Sequence, residues 1–473
     1  MSEAPPGTFQ QYLFDQGITH EQRVVEEFRA AGREVVDLTD LTKAERADRT
    51  RAAISSGSKS IIAQGQLDCT VNLGHWGAVE LTGRPDFLML EDGIWVIADA
   101  KSTRRIHDSE GKENHRKRAI FLQLRLYGLM FETVFPGVGF ELRVHNGSGG
   151  IEQVEYRNAE GVREELGLVL ELRALYEEPY EQVGWSKCGM CGFRAHCWPR
   201  AEASADLGLI YGISIKVGSK LRETGVENYR ELLDPSIDLT QSVRENARAV
   251  IEDSVIRRLD GAGSQVEIPP EVSSDDNYVM FDLEGVPPEL DEAQKVYLWG
   301  MQVFGKNKGQ FIPAFAGFGE DGDRDGWNDF LSAAKAILED HPDIRFVHWH
   351  SYEKTLLTKY VDRYGDDSDG TAAKVLDLLL DLLPICRKAV AIPAPGYSLK
   401  VVEKLDAVRQ ATGFERSDGA VGKGDDSIAA FMRAVDTQNA GERDAIVESL
   451  CAYNREDLEA TWAVQQWLAG MLG

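Results

Sequence analysis

Asp86, Asp99 and Lys101 frame one short stretch, GRPDFLMLEDGIWVIADAKST, from Gly83 to Thr103. Asp86 stands just before an apolar run, Glu91-Asp92-Gly93 reads as a turn, and a second apolar run ends in Asp99-Ala100-Lys101. Residues two apart on a strand face the same way, so Asp99 and Lys101 point together, and Asp86 joins them if its strand pairs with the next. Carboxylates at the end of an apolar hairpin are costly unless paired or bound to a cation. Two of them can hold Mg²⁺ or Mn²⁺, and a lysine beside them can orient water and stabilise developing charge, which suits phosphodiester hydrolysis. A surface hairpin with a salt bridge would use the same residues. Gln123 and Tyr127 follow, four apart on one face of a helix, and His20 lies on an early helix where a neutral imidazole would add a third ligand.

A second constellation lies far along the chain. NYVMFDLEG puts Asp282 and Glu284 on one face of a strand whose apolar lead-in implies burial. FVHWHSYEKTLL offers Glu353 after another apolar strand, and CAYNREDLEAT places Tyr453 and Asp457 four apart on a late helix. GYSLKVVEK offers Lys400 and Lys404 for a phosphate strand, and Asp377 and Asp381 lie on a helix-like run as auxiliaries, helix caps or a solvated face. Between the two constellations, KCGMCGFRAHCW gives Cys188, Cys191 and Cys197. Thiolates so closely spaced suit zinc, with His196 as a further ligand, or an iron–sulfur cluster. The glycine turns at Gly212-Ile213 and Gly225-Val226 each read as opening a helix, an arrangement whose amides hold a phosphate without reading bases. Lys216, Lys220 and Arg222 would add positive charge there, and a plain helical linker domain would show the same pattern.

These residues need elements to position them, and 473 residues are too many for one core. Periodicity and turn signals predict a helix and strand over 9–38, a helix over 44–56, and strands near 60–70, 85–90 and 94–100. A long amphipathic helix follows over 114–133, then strands at 139–145 and 151–156 and a helix at 159–176. Residues 203–260 read as helical, and the Gly-, Ser- and Pro-rich stretch before Tyr278 reads as a linker. Beyond it, strands at 278–283, 296–304, 310–315 and 344–349, a helix at 326–339 and a helical run to the end make a second α/β domain. The expected domains are 1–198, 199–262, a linker over 263–277, and 278–473. A net charge of −26 argues against a general polyanion binder, so any nucleic-acid site must rest on local basic patches such as RKRAIFLQLRLYG. No apolar run reaches the length of a membrane span and the start MSEAPPGTFQQ is no signal peptide, so a cytoplasmic protein without a membrane partner is expected.

The set Pro85-Asp86, Asp99-x-Lys101 and Gln123-x-x-x-Tyr127 resembles the PD-(D/E)XK nucleases of the RecB type over roughly the first 200 residues, with His20 at that family's helical histidine. The resemblance implies a restriction-endonuclease-like mixed sheet flanked by helices that cuts DNA with one or two divalent ions. The cysteines stand where iron–sulfur members carry their last three ligands, which implies a 4Fe-4S cluster that staples the fold. The first ligand of that pattern should precede the His20 helix, yet no cysteine occurs before Cys69; either Cys69 is the fourth ligand, if the fold brings its strand near, or the cluster has three cysteines, another residue completes it, or the site is degenerate or lost. The glycine turns resemble a helix-hairpin-helix module. The second constellation resembles the DEDD exonucleases of the RNase H-like fold in their tyrosine variant. That implies metal-binding roles for Asp282, Glu284, Asp457 and Glu353, the last in place of the usual Asp, and a water-positioning role for Tyr453. The whole order resembles RecB-like nucleases with a C-terminal RNase H-like domain, and implies a two-site nuclease acting on single strands or ends of DNA, with RNA a further substrate, in repair or defence. The alternative is a non-catalytic or singly active scaffold for a helicase or defence-system partner, since no Walker A motif is present.

Overall fold

The computed structural model describes residues 8–472 apart from 109, 177–179, 185–187, 189–190, 274–275, 288–293, 319–320 and 418–423; most of the MSEAPPGTFQQ start therefore lies outside the described residues. Packing divides the chain into two compact units, in the main Gln10–Pro179 and Tyr180–Val286 with Gln294–Gly473. Among the described residues no helix is long and apolar enough to cross a membrane.

The first unit runs α1 (Thr8–Ala30), β1 (Val35–Asp37), α2 (Lys43–Ser56), β2 (Ile61–Ala63), β3 (Leu67–Asn72), β4 (Ala78–Gly83), β5 (Phe87–Glu91), β6 (Ile94–Lys101), α3 (Arg118–Val134), β7 (Phe140–Asn146), β8 (Ile151–Val154) and α4 (Ala159–Arg173). Its six-stranded sheet has the order β1-β2-β5-β6-β7-β8. The β5–β6 hairpin turns at Asp92-Gly93, both with positive φ (49° and 84°), the geometry whose twist matches paired strands. β6 is central, antiparallel to β5 and parallel to β7, which is why its residues from Trp95 to Ala100 are all buried. α3 covers this sheet through Phe121, Leu124 and Phe131. The single strand expected over 60–70 is two strands. Gln64 turns into the left-handed region (φ 57°), and β3 leaves the sheet to pair with β4 in a separate ladder.

The second unit begins with the cysteine stretch and α5 (Arg194–Ser204), α6 (Ile215–Glu223) and α7 (Gln241–Glu252), then a short strand β9 (Ile256–Arg257). Val183, Cys188, Ala201 and Leu209 share one buried cluster, so the stretch before residue 198 packs with the helices that follow it. The sheet of this unit is built from β10 (Tyr278–Gly285), β11 (Val296–Phe304), β12 (Ile312–Phe315), β13 (Arg345–His348) and β14 (Leu379–Asp381), in the order β12-β11-β10-β13-β14. Around it lie α8 (Gly322–Asp340), α9 (Tyr352–Tyr364), α10 (Thr371–Leu378), α11 (Leu382–Ala389), β15 (Val390–Ala391), α12 (Leu399–Val402), α13 (Asp406–Thr412), α14 (Gly424–Asp436) and α15 (Ala440–Ala469).

Three further expectations need correction. Residues 203–260 are not helical throughout: the turn at Gly225 leads into a 3₁₀ turn, Tyr229–Leu233, and the segment ends in β9, paired with β15. The described part of 263–277 is not a free linker, because Ile268 and Val272 are buried in one cluster with Tyr278, Met280 and Leu458. The run around Asp381 is not one helix. It ends as β14, and Asp381 Oδ1 accepts from Leu383 N to cap α11 and from His350 N, while Asp377 is exposed.

Candidate metal centres

In the first unit, pairing of β5 with β6 brings the end of one strand to the start of the other. Asp86, just before β5, accepts Ala100 N at 2.9 Å through Oδ2, and Asp99 Oδ1 accepts Asp86 N at 3.2 Å. Asp99 is 1% exposed, and among the described residues its Oδ2 makes no hydrogen bond; Lys101 Nζ stands 2.9 Å away as an ion-pair partner. Burial and the Asp99 charge push the Asp86 carboxyl up to about 7, with Glu21 adding to the effect. Two coupled carboxylates and an under-satisfied buried oxygen fit a divalent cation. Gln123 Nε2 donates to Tyr127 Oη at 2.8 Å, and Tyr127 Oη donates to Arg84 O at 3.2 Å. Burial and the charges of Asp99 and Asp86 raise the Tyr127 hydroxyl well above its ordinary value, so it serves as a neutral donor. Gly83 leaves room for this ring: a Cβ there would sit 2.8 Å from Tyr127 Cε1.

His20 is placed differently from the expectation. Its Nε2 meets the His145 carbonyl at 2.9 Å and its Nδ1 meets Arg23 Nη2 at 2.9 Å, so both ring nitrogens are engaged. The neighbouring Glu21 is the group that reaches the centre. Gln64 Nε2 donates to Glu21 Oε1 and, at 3.1 Å, to Asp86 Oδ1. A cleft of about 500 Å³, lined in part by Glu21, Gln64, Arg84 and Thr39, opens beside them. Glu21 and Gln64 escaped the sequence reading; the one available signal was Gln64 in IIAQGQ, a polar residue ending an apolar strand before a glycine.

The second centre is more compact. Ligand atoms of Asp282, Glu284 and Asp457 all lie within 4.8 Å of one another. β10 supplies the first two from one face, and α15, packed against that strand, supplies Asp457 and Tyr453. Burial, then Asp457, Glu284 and Glu353, lift the Asp282 carboxyl well above the usual range, and burial and Asp457 push Glu284 up to about 7. Glu284 Oε2 accepts from Ser427 Oγ at 2.8 Å and Tyr297 Oη at 3.2 Å. Asp457 Oδ1 is shared by Lys400 Nζ and Arg416 Nη2. Lys400 also lies 4.4 Å from the Tyr453 ring centroid. Burial and the charges of Asp457, Glu284 and Asp282 raise the Tyr453 hydroxyl far above its ordinary value. Mutually repelling acids gathered in a buried site fit divalent cations.

Glu353 lies in the first turn of α9, outside the triad, and its Oε2 meets His348 Nδ1 at 3.2 Å. Although burial opposes it, Glu353 holds the His348 imidazole above its ordinary pKa. Asn454 and Arg416 were not found from sequence. Asn454 looks like a helix-core amide until Gly300 is seen opposite Asp282 across the sheet.

The other candidates are scattered over the second unit, except Cys69. Cys69 lies on β3 among the apolar residues of the first unit, beside Thr133. Cys191 N donates to Cys188 O and Arg194 N to Cys191 O, and Cys197 lies near the start of α5. Among the described residues these cysteines form no group of three ligand atoms all within 4.8 Å of one another. His196 Nε2 meets Arg200 Nη1 at 2.8 Å. Lys216 and Lys220 on α6 are exposed, whereas Arg222 is engaged by Glu227 at 2.8 Å and Asp206 at 3.5 Å and stacks over Tyr180.

Residues 8–198 match the family model of the PD-(D/E)XK nuclease superfamily, and residues 279–469 match that of the RNase H superfamily. No curated protein matches the chain. Among solved structures, one described as "Crystal structure of SSO0001" is 14% identical and covers 38% of this chain and 94% of its own, with a TM-score of 0.21.

Proposed function

We propose that this chain, which joins a PD-(D/E)XK nuclease superfamily region to an RNase H superfamily region, is a divalent-metal nuclease with two phosphodiester-hydrolysing sites. The observation that carries the reading is the buried triad Asp282, Glu284 and Asp457, with all three ligand atoms within 4.8 Å. Such a cluster is unfavourable in the absence of cations, and Mg²⁺ or Mn²⁺ would there polarise the scissile phosphate and supply a metal-bound water at neutral pH. Asp282, Glu284 and Asp457 would hold the ions, Tyr453 as a neutral phenol would orient the attacking water, and Lys400 would face the strand. Glu353 completes the acidic wall behind Asp282 and is held by His348. In the first unit Asp86 and Asp99 hold the ion, Lys101 polarises the water or the phosphate, and Gln123 and Tyr127 fix the loop at Arg84. Glu21 takes the third-ligand position in place of His20. Polarity from the 3′ end at the second site and a preference for single strands or ends of DNA come from the resemblance to DEDD exonucleases and RecB-type nucleases.

Cys188, Cys191 and Cys197 hold a 4Fe-4S cluster in this reading. A cubane binds each thiolate to a separate iron, and tetrahedral zinc is the alternative for the same thiols. Exposed Lys216 and Lys220 on α6, with the amides near Gly212, would hold the phosphate backbone.

The test is incubation of the purified chain with end-labelled single- and double-stranded DNA and RNA, in Mg²⁺, Mn²⁺ or EDTA. Metal-dependent cleavage lost on EDTA treatment is expected. Stoichiometric Mn²⁺ binding with no cleavage of any substrate would support the scaffold reading instead.

A further inference from the structure

The cations around Asp457 carry more than the proposed chemistry uses. Arg416 is clamped from one side by Glu403, which is 2% exposed and accepts Nε and Nη2 of the guanidinium at 2.8 Å each. From the other side Nη2 donates to Asp457 Oδ1 at 2.6 Å, the same oxygen that Lys400 Nζ reaches. Nη1 is buried and makes no hydrogen bond among the described residues, with Glu456 Oε2 at 3.6 Å. Glu403 alone would balance a structural arginine. Here the guanidinium is carried one carboxylate further, onto a member of the metal triad, and arrives beside a second cation.

Two positive charges on one carboxylate oxygen offset the repulsion among the three acids while no metal is present. When divalent ions enter, the same two charges become neighbours of like sign, and the group entering with the ions is an anionic phosphate. A guanidinium matches phosphate with parallel donors, and Arg416 has a donor, Nη1, without a hydrogen-bond acceptor. We infer that Arg416 is a second phosphate-binding cation of this centre, beside Lys400, and that the two exchange Asp457 for the phosphate of the strand when metal and strand bind. This rests on the metal-centre reading of Asp282, Glu284 and Asp457.

The experiment uses the full chain carrying Asp99→Asn, which silences the first centre, with a single-stranded oligonucleotide as substrate and Mn²⁺ binding followed by electron paramagnetic resonance. In Arg416→Gln, Mn²⁺ should bind about fivefold more tightly, because a competing charge has left the triad. KM should rise about tenfold or more. The plot of log(kcat/KM) against log[NaCl] should be shallower by about 0.7, the loss of one phosphate contact on a single strand. Arg416→Lys should restore the salt slope. If Arg416→Gln does not fold because Glu403 is left buried and unpaired, the pair Glu403→Gln with Arg416→Gln removes both charges and is read in the same way. Unchanged KM and salt slope would overturn the inference, as would weaker Mn²⁺ binding, which would make Arg416 a prop for Asp457. If the parent binds no Mn²⁺, or Asp282→Asn leaves cleavage intact, the metal centre itself is refuted and this inference falls with it.

Discussion

Asn454 donates its side-chain amide to Asp282 Oδ2 at 2.7 Å from a position that only glycine at residue 300 leaves open. Gly300 is paired with Asp282 across β10 and β11, and a Cβ on it would lie 1.6 Å from Asn454 Oδ1. Asn454 is itself fully buried. A carboxylate oriented from behind in this way would present a metal ion with a ligand of fixed direction. Asn454→Ala should therefore weaken Mn²⁺ binding at this centre by about 10- to 100-fold. Gly300→Ala should do the same although it removes no polar group, because the new methyl displaces Asn454. Isothermal titration of the Asp99→Asn chain with Mn²⁺ checks both, and a Gly300→Ala protein with parental affinity would contradict the relay.

The two centres should make the metal-free protein sensitive to alkali. Asp86 and Glu284 are both pushed up to about 7 from ordinary values of 3.8 and 4.5. Between those limits the folded chain binds more protons than the unfolded one, so stability is present below about pH 4 and is lost as pH rises through about 7. In EDTA, Tm should fall from pH 5.5 to pH 8, beyond any drift shown by an Asp86→Asn, Glu284→Gln protein. Mg²⁺ or Mn²⁺ should remove most of this loss, and metal affinity should rise over the same interval because ions compete with those protons. A Tm that rises with pH in EDTA would contradict the assignment.

What could be read from sequence was what periodicity and spacing carry. The hairpin of Asp86, Asp99 and Lys101 was legible because Asp92-Gly93 fixes its turn and therefore its register. Asp282, Glu284, Tyr453 and Asp457 were legible because strand and helix periods each place a pair on one face. The misses depend on tertiary placement. Glu21 precedes its partner Asp86 by 65 positions, and only Gln64 in a left-handed turn joins them. His20, one residue earlier, faces the His145 carbonyl instead. The glycine- and proline-rich segment before Tyr278 has the composition of a linker, yet it carries Ile268 and Val272, two apolar anchors that dock it in the core.

Lys101 should act electrostatically and not as a structural prop. Its side chain is one quarter exposed and its partner in the structure is Asp99 Oδ2. In a chain whose second centre is silenced by Asp282→Asn, Lys101→Ala should lower kcat by about 10²- to 10³-fold with Mn²⁺ affinity kept. Asp99→Ala should remove both cleavage and Mn²⁺ binding there. Undiminished cleavage by Asp99→Ala in that background would remove the first centre from the reading.

The thiols should reveal their metal by colour. Protein purified anaerobically should be brown, with iron and sulfide in proportion, and Cys191→Ser should bleach it. Because structural metal binding contributes to folding, the same variant should be more readily digested by protease. Cys69→Ser tests the fourth ligand: a retained absorbance band would exclude Cys69. A colourless protein with one equivalent of zinc would replace the cluster by a zinc site.

The RNase H superfamily region should need the helices before it in order to fold. Arg258 is 5% exposed, and its Nε donates to Arg387 O at 2.9 Å and Val390 O at 3.1 Å. Its Nη2 donates to Asn246 Oδ1 at 2.5 Å and Tyr397 Oη at 3.1 Å, and its Nη1 reaches Glu245 Oε2 on α7 at 2.7 Å. β9 adds backbone bonds to β15 beside it. Gln182 anchors the start of the unit in the same manner: its Nε2 donates to Ile213 O at 3.0 Å, and Gly218 gives it space, since a Cβ there would meet Gln182 Oε1 at 1.9 Å. A fragment beginning at residue 180 keeps all of these contacts, and one beginning at 270 loses Arg258, β9, α7 and the buried Ile268. The longer fragment should unfold in one transition and retain metal-dependent cleavage from the 3′ end. The shorter should be insoluble or melt far lower. Within the longer fragment, Arg258→Ala removes the cation paired with Glu245 Oε2 and the guanidinium donors to Arg387 O and Asn246 Oδ1, which should cost about 3–5 kcal/mol, read from urea unfolding. If the fragment from 270 proves as stable as the fragment from 180, the helices would be an independent module and Arg258 a contact of little weight.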